Sequence, residues 1–398
     1  KPPAHNRAGR WKMLGTVQIN NLNLKQGELT TVENYFLFTG IAAADCPNTG
    51  KIVTIDQSTD LDAVLGATAC DLKTQITAAR LNAGQNWYGC VLPYTVAETT
   101  ADALPDALDG AFESAVTTAM EHVKVEAIIR TDPITRATSV ETMQALAESI
   151  MATYMRPLWI MARAPQFNSI SQTFADYHAL ASVLQAGIAA DQVMLTVSLW
   201  GHEMGTLAGR LASEAVTVAD SPMRVATGAL VGVWSNKPTD KTGRVIDLSV
   251  LKALDAARFS VPQWYPDYEG MYWGDGNVLD VNGGDFQVIE NLRVIQKCMR
   301  RVYPLAVARI GDRRLNQTPA SIAQAQTAFM APLRAMSRSR TILGIVFPGE
   351  IEPPKDGDIT LTWVSKYSVE INIAARPYNC PKKITCNLLL DLTNYAKA

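Results

Sequence analysis

The chain has 398 residues, which predicts two or three domains, and 47% of them are hydrophobic, enough for a sizeable core. A formal net charge of −2 at pH 7 argues against a dedicated binder of nucleic acid or anionic membranes. The six cysteines form no C-x-x-C pair, and no apolar stretch reaches the roughly 20 residues that cross a bilayer. We therefore expect reduced thiols, no zinc site and folding in a cytoplasm.

The N-terminal part of the chain is predicted to be extended up to about Phe38. Val17 and Ile19 alternate with a polar residue, and Leu22 and Leu24 continue one step out of phase, which indicates a bulge or bend. Two short strands without a neighbouring hairpin partner are hard to stabilise alone. They must therefore pair with something else.

The middle of the chain alternates between helical periodicity and short apolar runs. Apolar spacing of three or four residues predicts a helix from Asp60 to about Asn82, and Trp87 to Leu92 is typical of a strand. The alternation continues with strands at 125–129, 158–162 and 193–198, and with helices at about 140–154 and 169–184. We therefore predict an α/β layer with a largely parallel or mixed sheet.

The last third begins with two predicted helices, one with an apolar stripe from Phe286 to Val302 and one from Thr318 toward Met336. Two alternating strands follow at 359–363 and 369–373. After a stiff connector, Pro377 to Pro381, the clearest period-two series of the chain comprises Ile384, Cys386, Leu388, Leu390 and Leu392. This final strand is predicted to be held away from the body of its own subunit.

Motifs for catalysis are missing from the sequence. It contains no P-loop, no G-x-S-x-G elbow and no dinucleotide fingerprint, and His202-Glu203 lacks the second histidine of a zincin helix. Asp275, Asp280 and Asp285 lie in a Gly-rich stretch without the ligand spacing of an EF-hand, so a structured turn is favoured. A metal-dependent hydrolase that uses these three aspartates remains the alternative; otherwise we expect no enzyme and no cofactor.

Basic residues crowd the region from residue 293 to residue 340. They are Arg293, Lys297, Arg300, Arg301, Arg309, Arg313, Arg314, Arg334, Arg338 and Arg340. One interpretation is a solvated face with scattered internal ion pairs, and the other is a surface that meets an acidic protein partner. Nucleic acid is a weaker third option, because the whole chain is not basic.

Several segments resemble one protein family. They are Tyr265–Gly270, Tyr272–Asn277, Asp285–Val294, Arg300–Val302, Ala331–Ser337 and Cys380–Thr385, with Leu14–Val17 and Asn20–Leu24 near the start. These segments look like the tail sheath proteins of contractile-tailed bacteriophages. The resemblance covers both ends of the sequence and its C-terminal third, whereas about 95–238 match only as an alternation of helices and strands.

The resemblance implies a structural subunit in hexameric rings stacked helically around an inner tail tube, with contraction driving the tube through the host envelope. Two arms, about Leu14 to Gly27 and Lys382 to Asn394, would complete sheets in neighbouring subunits, which matches the unpaired strands predicted above. The partners implied are further copies of the chain, the tube protein, the baseplate and the tail terminator. Nucleic acid and membrane insertion are not implied, and the location would be the virion, after assembly in the host cytoplasm.

On this interpretation the chain divides into an N-terminal arm (1–30), a core of 31–95 and 239–380, an inserted α/β middle domain (96–238) and a C-terminal arm (381–398). The arm residues are Val17, Ile19, Leu22, Leu24, Ile384, Cys386, Leu388, Leu390 and Leu392. Sheath–tube contacts must break on firing, and exposed arginine pairs are weak enough to do so. We therefore expect Arg334, Arg338 and Arg340 to face the tube.

Overall fold

The structure, a computed structural model, describes residues 32–390. The predicted N-terminal arm residues Val17, Ile19, Leu22 and Leu24, and also Leu392, lie outside the described residues. Twelve strands occur in the described part: β1 (Phe36–Ile41), β2 (Val53–Asp56), β3 (Tyr88–Tyr94), β4 (Ala127–Pro133), β5 (Trp159–Arg163), β6 (Val193–Thr196), β7 (Pro262–Tyr265), β8 (Tyr268–Trp273), β9 (Arg340–Ile342), β10 (Ile345–Phe347), β11 (Ile359–Ser365) and β12 (Ser368–Ile373).

Nine α-helices connect or flank these strands within residues 32–390. They are α1 (Leu61–Leu65), α2 (Asp71–Ala83), α3 (Leu104–His122), α4 (Thr138–Tyr154), α5 (Phe174–Val183), α6 (Glu203–Leu211), α7 (Leu248–Ala256), α8 (Ile289–Val307) and α9 (Pro319–Met336). Thr318 caps α9 by accepting a hydrogen bond from the Ser321 amide, with Pro319 in the first turn as the sequence predicts.

A six-stranded sheet organises the first two thirds of the described chain. Its strand order is β2-β3-β1-β4-β5-β6, in which β1 pairs in parallel with both β3 and β4. β4, β5 and β6 continue the parallel arrangement, and β2 runs antiparallel to β3 at one edge. The predicted α/β class with a mixed sheet is confirmed.

Each face of this sheet carries its own hydrophobic core, because successive side chains of a strand point to opposite faces. In β1, Leu37 packs with one core, which includes the buried faces of α3, α4, α5 and α7. Its neighbours Phe36 and Phe38 pack with the other core, which includes α2 and α6. With helices on both faces, the parallel strands are buried on both sides, as such sheets require.

Helices α2 and α6 approach each other closely at two glycines. A Cβ atom on Gly205 would lie 2.1 Å from the carbonyl oxygen of Gln75, and one on Gly209 would lie 2.2 Å from that of Ala79. Gln75 strengthens the contact, since its Nε2 donates to the Gly201 carbonyl and its Oε1 accepts from the Gly205 amide. The four-residue spacing of the two glycines therefore lets two helix backbones touch.

The C-terminal part packs α8 against α9 and adds two hairpins, β9–β10 and β11–β12. Val294 and Cys298 on α8 meet Leu333 and Met336 on α9, and Ile351 closes this small core. The predicted helices and the strands at 359–363 and 369–373 are confirmed. The described residues therefore form an α/β body and a smaller helix–hairpin part built on α8.

One expectation needs correction, and another stays a prediction. The single helix predicted from Asp60 to Asn82 is two helices, because the chain passes through Gly66 at φ +91°, which ends α1 before α2 begins. The strands of residues 31–95 and those of 96–238 belong to one sheet, so the predicted boundary at residue 95 runs between paired strands. The division into a core and an inserted domain stays a prediction.

Candidate functional site: an assembly surface

The C-terminal segment that was predicted as a donated strand projects apolar side chains into solvent. Ile384 is 76% exposed, Leu388 96% and Leu390 83%, and Cys386 is also exposed. Within the part of the chain that the structure describes, residues 383–390 belong to no strand and form no hydrogen bond. Apolar side chains with unpaired backbone groups beside them are what a partner sheet can bury.

The connector that leads to this segment is tied to the body. The Ala374 amide donates to the Asp358 carbonyl at 2.8 Å, and the Arg376 guanidinium donates to both carboxylate oxygens of Asp358 at 2.6 and 2.7 Å. Pro377 then forms an antiparallel bridge with Ile351. Residues 374–377 therefore form a fixed strap, and within the described residues the connector is tied to the body at its first residue, Pro377.

Lys382 is the last residue of the described chain that is held against the body. Its Nζ donates to Asp275 Oδ1 at 2.6 Å and to Glu290 Oε1 at 2.8 Å. Burial lowers the pKa of Lys382, but the attraction of Glu290 and then Asp275 outweighs burial and leaves that pKa raised. For Glu290, burial is the larger effect and raises the pKa of its carboxyl group in spite of Lys382. The sequence analysis placed Lys382 at the start of the C-terminal arm and did not predict its ion pairs with the body.

The predicted tube-facing residues are all on the surface. Arg334 lies in the last turn of α9, Arg338 follows that helix, and Arg340 begins β9. All three are exposed, and none forms an ion pair with any residue between 32 and 390. The three guanidinium groups lie within seven residues of sequence and can bind carboxylates of another protein.

Other members of the predicted basic region serve the interior. Arg293 pairs with Glu126, with Arg293 Nε 2.7 Å from Glu126 Oε1. Lys297 Nζ lies 2.5 Å from Glu350 Oε1, where burial lowers the pKa of the lysine in spite of the neighbouring carboxylate. Internal pairing thus applies to Arg293, Lys297 and Arg300 of α8. Arg334, Arg338 and Arg340 remain available at the surface.

The aspartates of the Gly-rich stretch have structural roles. Asp280 accepts hydrogen bonds from the amides of Val281 and Phe286, and Asp275 accepts from Lys382. In the described residues no group of three histidine, cysteine, aspartate or glutamate side chains is placed to hold a metal ion. Nor does any described helix combine the length and apolar character needed to span a membrane. A turn stabilised by aspartates accounts for this stretch, and the hydrolase alternative gains no support.

Comparison with known proteins places this geometry in a family. Residues 14–277 match the family model described as DUF2586, N-terminal domain, and residues 285–393 match DUF2586, C-terminal domain. The boundary between the two falls in the Gly-rich turn before α8. A protein of Haemophilus phage HP1 (strain HP1c1) named "Putative tail sheath protein" is 44% identical over 385 residues, which cover 96% of this chain and 99% of that protein.

Solved structures share the fold at low sequence identity. A chain of the PVC sheath complex, an extracellular contractile injection system in its contracted state, is 11% identical with a TM-score of 0.62, covering 97% of this chain and 100% of that one. The sheath tail protein from Desulfitobacterium hafniense is 13% identical with a TM-score of 0.52, covering 91% and 96%. The resemblance to tail sheath proteins seen in the sequence is thereby confirmed, and the chain belongs to the DUF2586 family.

Proposed function

We propose that this protein is a structural subunit of a contractile phage tail sheath. Its copies form hexameric rings that stack helically around the inner tail tube, and their contraction drives the tube through the host envelope. The full-length similarity to the Haemophilus phage HP1 protein supports this function. The remaining partners would be the baseplate and the tail terminator, and the subunit would enter the virion after assembly in the host cytoplasm.

One observation carries the proposal: apolar residues of 384–390 are exposed on a segment whose backbone is unpaired in the described part of the chain. In the sheath this C-terminal arm adds a strand to a sheet of a neighbouring subunit. About five main-chain hydrogen bonds at roughly 0.5–1.5 kcal/mol each, together with the burial of Leu388 and Leu390, make each link worth several kcal/mol. Because every subunit both donates and accepts, the links add up through the lattice.

The N-terminal arm is proposed to act in the same way, through Val17, Ile19, Leu22 and Leu24. Its structure lies outside the described residues, so the alternation of its sequence is what supports this role. Two arms directed at different neighbours would keep the lattice connected while subunits move relative to one another.

Contraction in this proposal is structural rather than enzymatic. An extended lattice that is trapped during assembly relaxes to a compact one that buries more surface, so no fuel-binding site is needed. The contacts with the tube must release at that moment. Exposed arginines such as Arg334, Arg338 and Arg340 suit such contacts, because exposed ion pairs contribute only about 0–1 kcal/mol each.

The proposal is tested by electron microscopy of the purified protein in negative stain. We expect the full chain to form hollow tubes, and a chain truncated before Pro381 to remain a folded monomer without tubes. Leu388→Asp with Leu390→Asp should have the same effect without shortening the chain, because charges on the arm cannot be buried in a neighbour's sheet.

Ile170→Asp provides the matched control, since Ile170 is as exposed as the arm leucines but lies in a loop of the α/β body. This variant should form tubes normally. Tubes of normal appearance from the truncated chain would contradict the role of the C-terminal arm, and failure of the full chain to form any ordered polymer at high concentration would contradict the function.

A further inference from the structure

Three segments that are far apart in sequence meet at Lys382. Asp275 lies 107 residues earlier, at the start of the Gly-rich turn that follows β8, and Glu290 lies in the first turn of α8. Only 7% of the Glu290 side chain is exposed, against 19% for Asp275 and 28% for Lys382. Asp275 lies in the part matched to the N-terminal family domain, whereas Glu290 and Lys382 lie in the C-terminal one. The C-terminal arm is therefore fastened at the junction of the two domains.

The fastening divides the end of the chain into a held part and a free part. Before Lys382, the nearest backbone tie within the described residues is the bridge between Pro377 and Ile351. After it, Lys383 and Ile384 are exposed. If Lys382 leaves its two carboxylates, the free part of the chain begins at Tyr378 rather than at Lys383. Five additional residues at about 3.3 Å each would lengthen the arm by roughly 16 Å.

We propose that Lys382 is a releasable clamp that sets the reach of the C-terminal arm. Closed on Asp275 and Glu290, it keeps the arm short; open, it lets a neighbouring copy that holds the arm move away by more than one nanometre without loss of the paired strand. This inference rests on the proposed function, and it adds a defined release point to it. The clamp is a positioning device, and the strand pairing itself is left to the residues beyond it.

The chemistry of the clamp suits release under load. A lysine ammonium is a single point charge on a flexible stem, so it can leave without breaking a bidentate arrangement of the kind that Arg376 makes with Asp358. A cavity of about 490 Å³, lined by residues that include Arg224, Tyr265 and Pro381, lies beside the segment and leaves room for it to move. Opening of the clamp still costs free energy, because it leaves the buried Glu290 carboxylate without its cationic partner.

Trypsin cleavage of the purified full chain after Lys383, followed by mass spectrometry of the intact protein, measures the clamp directly. A protease needs several residues on each side of the cut bond in extended form, and the closed clamp fixes the residue just before Lys383. Replacing the pair with Lys382→Met and Glu290→Met removes the clamp and leaves no unpaired charge at position 290. We expect cleavage after Lys383 to become at least about fivefold faster, the factor that corresponds to a loss of about 1 kcal/mol.

Asp275→Asn gives a second test that does not alter the buried position, with an expected acceleration of about two- to threefold, because one of two carboxylates remains. The matched control is Lys355→Met, which removes an exposed lysine whose pair with Glu352 spans 3.5 Å. Its cleavage rate after Lys383 should equal that of the wild type. Equal rates in the wild type, the Asp275→Asn variant and the double variant would overturn the clamp.

Polymers formed by the Lys382→Met and Glu290→Met variant provide the assembly readout. They should still be tubes, because the arm itself is intact, but with a broader distribution of axial repeat distances than wild-type tubes. The two proposals fail separately. If the cleavage rates are unchanged but truncation abolishes the tubes, the clamp is refuted and the sheath function stands. If the truncated chain forms normal tubes, the role of the arm is refuted, whatever the cleavage rates are.

Discussion

Arg293 and Glu126 form a two-pronged ion pair across 167 residues of sequence, and neither side chain is exposed. The remaining donors of Arg293 reach the Leu211 carbonyl at 3.1 Å and the Asn34 side chain at 2.9 Å, while the Asn34 amide donates to Glu126 at 2.6 Å. Burial disfavours the charged form of Glu126. The attraction of Arg293 outweighs burial and holds the pKa of Glu126 below its ordinary value. This network fastens α8 to the residues just before β1 and β4 of the central sheet.

Removing one member of this pair should be costly. We expect Arg293→Met or Glu126→Gln to lower the free energy of unfolding by about 3–5 kcal/mol, because each leaves a buried polar group without its partner. Arg293→Met combined with Glu126→Gln should cost clearly less than the sum of the two single changes, because the two groups act as one pair. Urea denaturation of the four proteins measures the coupling; strictly additive values would show that the pair does not act as a unit.

The glycines between α2 and α6 give a prediction about packing. Gly205→Ala and Gly209→Ala should each destabilise the protein by about 1–3 kcal/mol, because the new methyl group meets a backbone carbonyl that cannot move aside. Gly110→Ala is the matched control: Gly110 lies within α3 with nothing within 4 Å of the new Cβ. It should stabilise by about 0.5–1 kcal/mol. Thermal unfolding distinguishes the two classes, and equal effects at all three positions would contradict the close contact.

The proposed tube-facing surface is tested by charge removal. Changing Arg334, Arg338 and Arg340 together to glutamine should reduce co-sedimentation of the sheath with the inner tube and leave the thermal unfolding midpoint unchanged, because all three side chains are exposed. Salt near 1 M should weaken the wild-type attachment in the same way, since the Debye length falls to about 3 Å. Removing exposed lysines of the α/β body, with Lys51→Gln and Lys252→Gln, should leave attachment intact. Unchanged attachment of the triple variant would remove this surface from consideration.

The strap that leads to the arm should respond to acid. Hydrogen bonds from Arg376 lower the pKa of Asp358 from 3.8 to about 2. A carboxylate with a lowered folded-state pKa stabilises the fold above its unfolded pKa, and this contribution disappears as the pH falls through the folded value. The stability advantage of the wild type over Asp358→Asn should therefore be full at pH 6 and shrink between about pH 4 and pH 2. Parallel stability curves for the two proteins across that range would refute the assignment.

Much of the fold could be predicted from local patterns. The apolar runs at 125–129, 158–162 and 193–198 are strands β4, β5 and β6, and the Thr318-Pro319 signal marks the start of α9. A helical pattern was recognised around His122, but no bounds were predicted for helix α3, although Phe112, Val116 and Ala119 have the spacing of its buried face. Continuous apolar runs indicate strands that are buried on both faces, and a spacing of three or four residues indicates helices that bury one face against a core.

Partners that are distant in sequence could not be predicted in this way. Arg293 and Lys297 look like surface charges in sequence, because nothing nearby shows that Glu126 and Glu350 will reach them. The clamp at Lys382 was missed for the same reason: its two carboxylates come from a turn and a helix that are brought together by the tertiary structure alone. The alternation of the arm does not show in the exposure of its side chains, since Leu389 is 93% exposed like Leu388 and Leu390 beside it, and the pairing of the arm with a neighbouring copy stays a prediction.

The position of β1 in the central sheet bears on how the protein is made. β1 is the first strand of that sheet in sequence but lies inside it, between β3 and β4. A nascent chain therefore leaves the ribosome with an apolar strand that has neither lateral neighbour until residues 88–94 and 127–133 have been synthesised. The bond between Asn34 and Arg293 closes later still, across 259 residues. Chaperone protection during translation should thus matter most in the interval before β4 emerges, and slowed synthesis there should promote aggregation of incomplete chains.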